Sequence, residues 1–163
     1  MKKPITPSKK KPIDILKIEE LYEVELKQEK QDVILNDDGR KSVRNFFTTN
    51  ENNEITGLSF NNLTETSKDL SLIKKLDKLI FLALTRNNIE DISLMFPLPN
   101  LKYLYLGGNK IKDISALTNS FLLEELAIWN NPISTVVPLK SLINLKKLHL
   151  QDTGTNNLIE LYV

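Results

Sequence analysis

Leucine and isoleucine recur along this chain with a period that neither a lone helix nor a lone strand would produce. In Leu79-Ile-Phe-Leu82-Ala-Leu84-Thr-Arg-Asn87-Asn-Ile89, the apolar anchors share the segment with the asparagine at position 87. Shifted by 22 residues, Leu101, Leu104, Leu106, Asn109 and Ile111 repeat the arrangement. A second shift falls on Leu123, Leu126, Ile128, Asn131 and Ile133, and a third on Leu145, Leu148 and Leu150. Upstream, Ile55, Leu58 and Phe60 supply the same strand pattern at a slightly longer spacing. Self-similarity in register over about five copies marks a stack of coils, each burying its apolar side against its neighbours.

Each coil reads as one short strand followed by a turn. Side chains alternate across a strand, so Leu82 with Leu84, and Leu104 with Leu106, point into the stack while the residues between them face out. After the strand the backbone must turn away with its polar groups still buried. Asn87, Asn109 and Asn131 bring donors and an acceptor there to satisfy them. Ile89, Ile111 and Ile133, then Ile92, Ile114 and Val136, carry the core onward, and Leu117 and Leu139 or Leu142 close it. Asp91 and Asp113 belong to the same turns.

Residues 13–54 read as an N-terminal cap. Asp14 is the expected N-cap of a short helix running to about Tyr22, with Ile15, Ile18 and either Leu21 or Tyr22 on one face. Phe46–Thr49 and Glu54–Phe60 flank Asn50-Glu-Asn-Asn53, the composition of a hairpin turn. Such a hairpin would protect the sheet edge at the first coil. Residues 1–12 are rich in lysine and proline and read as a disordered basic tail. At the other end Thr153 and Thr155 replace the asparagine and isoleucine of the fifth coil. Either Leu158, Leu161 and Val163 fold back over that coil, or it is part of something longer.

The form L-x-x-L-x-L-x-x-N-x-I-x-D-I, carried by Asn87 to Ile92 and Asn109 to Ile114, resembles the leucine-rich repeats. It is similar to their 22-residue class in bacterial internalins and phosphatase-regulator proteins. The resemblance spans Ile55 to about Leu158. It implies an α/β fold: a right-handed solenoid with a concave parallel sheet, an N-terminal helix-plus-hairpin cap over 13–54, and repeats over 55–163. It also implies protein binding rather than catalysis. The cap is loosely similar to those of bacterial repeat proteins, including some whose repeats precede a Roco-type GTPase domain, which gives an alternative reading as the regulatory front of a larger multidomain protein.

Composition narrows the chemistry. A net charge of +1, from 22 basic and 21 acidic residues, leaves no footprint for nucleic acid or an anionic membrane. With no cysteine and one histidine, thiolate chemistry and a histidine-built metal site are excluded, and no cofactor is expected. The lack of cysteine fits a reducing cytoplasm. No stretch approaches a membrane span, and the basic start lacks the apolar core of a signal peptide. Gly107-Gly108 is not followed by the lysine-serine or lysine-threonine of a phosphate loop. The sequon Asn62-Leu-Thr64 falls in the first turn and reads as accidental.

The outward strand positions form columns. One runs Gly57, Phe81, Tyr103, Glu125, Lys147; the next Ser59, Ala83, Tyr105, Ala127, His149; the third Asn61, Thr85, Gly107, Trp129, Gln151. Phe81, Tyr103, Tyr105 and Trp129 thus converge near the middle coils, ringed by Arg86, Glu125, Lys147 and His149. Aromatics bordered by charge have the composition of a binding hot spot, and these eight residues are the candidate partner-binding set. Phe81 and Tyr103 also fit a purely structural role as cross-strand contacts, and His149 that of a solvated strand residue. Trp129 is expected to project clear of the leucine core.

Overall fold

The computed structural model describes residues 10–31, 44–63 and 69–154. The chain elements are helix α1 (Ile13–Tyr22), strands β1 (Lys27–Glu29), β2 (Phe46–Thr49) and β3 (Ile55–Ser59), and a short helix α2 (Ser71–Lys74). Strands β4 (Phe81–Ala83), β5 (Tyr103–Tyr105), β6 (Glu125–Ala127) and β7 (Lys147–His149) follow. The seven strands form one sheet in chain order. From β3 to β7 every pairing is parallel, and the 22-residue shift is the register itself: Leu82 faces Leu104, Leu104 faces Leu126 and Leu126 faces Leu148. Between strands the chain returns through 3-10 turns at Ser93–Met95, Ser115–Asn119 and Val137–Ser141. This is the α/β solenoid with its sheet on one side.

The asparagine ladder joins the coils. Asn109 Oδ1 accepts from the backbone N–H groups of Asn87 at 2.9 Å and Ile89 at 3.0 Å, while its Nδ2 donates to the carbonyls of Leu84 and Leu106. Asn131 takes Ile111 N–H at 3.0 Å and donates to Leu106 and Ile128. One buried carboxamide therefore satisfies groups from two coils at once. Thr153 lacks the second arm, and there its backbone carbonyl receives Ile133 N–H instead. Asp91 and Asp113 accept from the N–H of Ser93 and Ser115, both at 2.7 Å, and so start the 3-10 turns, with Thr135 Oγ1 doing the same for Val137.

Helix α1 closes the first coil. Ile15, Ile18 and Tyr22 are buried in the common core, Leu21 is not, and the Tyr22 ring stacks on Phe60 at 5.0 Å. Its hydroxyl donates to Asp69 carbonyl at 2.6 Å, and burial, with the Asp69 charge second, pushes the phenol well above its ordinary range. Pro12 rather than Asp14 stands at the N-cap; Asp14 sits in the first turn, where its charge favours the positive helix end. Residues 10–12 are tied down: Lys11 Nζ bonds Glu19 at 2.7 Å and Leu26 carbonyl at 3.1 Å. The rest of the basic tail, Thr64 of the sequon, and Thr155, Leu158, Leu161 and Val163 lie outside the described residues.

The hairpin forms, β2 antiparallel to β3 with Phe47 opposite Leu58. A further strand, β1, lies parallel on its outer side and is the outermost strand among the described residues. Periodicity could not reveal it, because Lys27-Gln-Glu29 has no apolar face to alternate.

Candidate protein-binding face

The sheet surface opposite the leucine core is where the eight candidate residues lie, and it divides into two unlike halves. Toward the cap, Phe46, Phe81 and Ala83 form a second apolar cluster, packed by Tyr103 and Tyr105. Phe46 stacks on Phe81 at 5.7 Å, and Phe81 meets Tyr105 at 5.4 Å. Phe81 is only 1% exposed, which corrects its assignment to the contact surface: the cap strand places Phe46 against it, and a partner cannot reach the ring. Phe46 was missed because it precedes the repeats and has no place in their columns.

Further along, the surface turns polar and open. Tyr105 hydroxyl donates to Glu125 Oε1 at 2.9 Å, Lys147 Nζ lies 3.2 Å from Oε2, and His149 Nε2 lies 3.8 Å from Oε1. Glu125 is 8% exposed and encircled by these groups, so it also leaves the contact set and becomes the anchor that orients the others. Burying a carboxyl group is costly unless such hydrogen-bonding partners surround it. Beside it Glu124 bonds Lys146 at 2.6 Å and Lys102 at 3.1 Å. The Lys146 hydrogen bond, and then that of Lys102, hold the Glu124 carboxyl below the usual range, and Glu124 in turn raises Lys146.

Trp129 does not project freely. Its indole lies flat on Gly107: a methyl group there would come 2.1 Å from Cε2 and 2.3 Å from Nε1. Arg86 reaches the ring from the coil beyond, across Gly107 and Gly108, its guanidinium carbon 5.8 Å from the ring centre. The result is a half-buried indole held by a glycine floor and an arginine edge. The 22-residue shift already set Gly107 beside Trp129, so the seat could have been read as a small residue next to a large one.

Of the eight, the structure brings Tyr105, Glu125, Lys147 and His149 into one bonded network and Arg86 and Trp129 into a second pair. Tyr103 stands half-buried at the register position between Phe81 and Glu125. Arg86, Tyr103, Tyr105, Trp129, Lys147 and His149 remain accessible in whole or in part. Among the described residues no cluster of histidines or carboxylates has the makings of a metal site, and no helix is long and apolar enough to cross a membrane.

Parallel coils, an asparagine ladder and a side-chain-bearing sheet face define a class of repeat solenoid, and comparison with known proteins gives it a name. Residues 77–119 match the family model of leucine-rich repeats in two copies. Those residues are leucine-rich repeats, and the fold is that of a leucine-rich-repeat solenoid. It is similar to the crystal structure of internalin inlF from Listeria monocytogenes, at 38% identity and a TM-score of 0.56 over 60% of this chain and 28% of that one. It is also similar to internalin C2 from the same organism, at 29% identity and a TM-score of 0.57 over 66% of this chain and 49% of that one. A pollen receptor kinase 3, 21% identical with a TM-score of 0.56, shares the fold. The chain thus spans between 28% and 54% of the length of these solved proteins. No curated protein matches it.

Proposed function

We propose that this chain is a non-catalytic module that binds a partner protein on its concave sheet face, through the half centred on Tyr103, Tyr105 and Trp129. The single observation that carries this reading is the state of Trp129. Its ring is oriented by Gly107 and Arg86 yet remains partly exposed, so an ordered aromatic surface meets solvent without a loss of freedom left to be suffered on binding. Fixed aromatics at the centre of a face, with charges around them, are the residues on which binding energy concentrates.

The test is site-specific photo-crosslinking in cells. A benzophenone amino acid placed at Tyr103 should trap a discrete partner band that is absent when the same probe replaces Lys112, which is exposed and lies off the sheet face. A band at Lys112 and none at Tyr103 would move the functional surface to the convex side.

A further inference from the structure

The residue that follows each strand turn adopts a left-handed backbone throughout the stack: Asn62, Arg86, Gly108, Asn130 and Asp152 all have positive φ. Glycine, asparagine and aspartate tolerate that conformation, and a long side chain does so only at a cost in strain. Arg86, with φ of 55°, is the exception in the series. Strain kept at one position of a repeat, where the other copies avoid it, points to a task for the side chain.

The same step of the next coil holds Gly107 and Gly108. A methyl group on Gly108 would meet Arg86 Cγ at 2.9 Å, so the two glycines make room for the arginine stem as well as for the indole. Arg86 is exposed, and among the described residues no carboxylate pairs with its guanidinium. The neighbouring carboxylates are already engaged: Glu124 by Lys102 and Lys146, Glu125 by Lys147 and His149. Asp152, the acid in the Arg86 column, stands three coils further on.

Resting on the concave-face reading above, we propose that Arg86 and Trp129 together form the subsite for an acidic segment of the partner protein. The Arg86 guanidinium takes an aspartate or glutamate carboxylate, and the apolar side chain next to that acid lies on the open face of the indole. Charge complementarity favours this occupant: at the strand steps of these coils four cations, Arg86, Lys102, Lys146 and Lys147, stand against three carboxylates, Glu124, Glu125 and the more distant Asp152. Chemistry favours it too, because guanidinium is the weakly hydrated cation that stacks on an aromatic while presenting paired N–H donors to a carboxylate. A single arginine suits one carboxylate better than a phosphate group, whose recognition uses clustered cations.

The experiment selects a display library of random twelve-residue peptides on the full chain, then titrates the recovered peptides while following fluorescence. Trp129 is the one tryptophan in the chain, so its emission reports the subsite alone. The expected peptides carry aspartate or glutamate next to an aromatic or aliphatic residue and shift the Trp129 emission. Arg86→Gln should weaken them by about tenfold or more, the loss of one charged hydrogen-bonding contact. Exchanging the peptide acid for its amide should weaken binding equally, with no further loss on Arg86→Gln. Arg86→Gly, which suits the left-handed backbone, should lose the same binding without lowering the melting temperature. Peptides that shift Trp129 emission yet lack an acid, or bind Arg86→Gln unchanged, overturn this proposal and leave the concave-face reading standing. Phosphate-dependent peptides overturn it in the same way. Peptides that leave Trp129 emission unmoved and are indifferent to Tyr103→Ala overturn both.

Discussion

Phe81 and Tyr103 occupy the same step of adjacent coils, opposite each other in register, yet one is sealed and the other half-open. The difference comes from what lies beside them. Phe81 has the cap strand next but one, with Phe46 stacked on it, whereas beyond Tyr103 come Glu125 and Lys147, an ion pair in place of a covering ring. An outward strand position is therefore exposed only where the neighbouring columns leave it so. The cap does more than end the core: its hairpin also covers the concave face at Phe81 and Ala83, so that the accessible aromatics lie on the later coils.

Truncating the two aromatics should separate the halves most clearly. Phe81→Ala empties a buried site and should destabilise the fold by about 3 to 5 kcal/mol, while Tyr103→Ala should cost no more than about 2 kcal/mol. Equal losses in chemical denaturation would erase the distinction. Asn109→Ala, in the ladder behind both halves, should cost about 1 to 3 kcal/mol, because it strands the N–H groups of Asn87 and Ile89. A variant that melts like the parent would show that water replaces the carboxamide.

Tyr105→Phe should remove about 1 kcal/mol, the hydrogen bond to Glu125, and loosen Lys147 and His149 without touching Phe81 packing. Nuclear magnetic resonance of the His149 ring would register the change. The smallest effect concerns Glu124. Its folded pKa lies below the ordinary 4.5, so its contribution to stability is complete above that value and is lost as pH falls through the lower folded one. Acid titration of Glu124→Gln should lack that part of the decline, so the parent's advantage at neutral pH, small because the pairs are exposed, should vanish as the carboxyl is protonated.

The repeat period carried the coils, the ladder and the register, because a stack forces the same residue type to the same place in every turn. Asn109 has one environment available to it, and its role was legible from spacing. The functional face was legible only as a set of columns. Which side chains in them are open depends on contacts across sheet positions outside the repeat, as with Phe46 on Phe81. Others depend on ring orientations that spacing does not encode, as with Trp129 lying back over Gly107. Glu125 shows a third case: its position was foreseen, but three partners from two strands turned a surface charge into a buried anchor. Strand β1 and the N-cap of α1 escaped because each is set by packing against the cap rather than by local pattern.

The most direct test of the central claim pairs stability and affinity for Trp129→Ala, measured on the same samples against the partner trapped at Tyr103. Binding by calorimetry should weaken by about 2 kcal/mol or more while the melting temperature falls only slightly, because the indole lies on a glycine outside the leucine core. Lys112→Glu should leave both unchanged. If Trp129→Ala binds at full strength and Lys112→Glu abolishes binding, the open half of the concave face is not where this solenoid meets its partner.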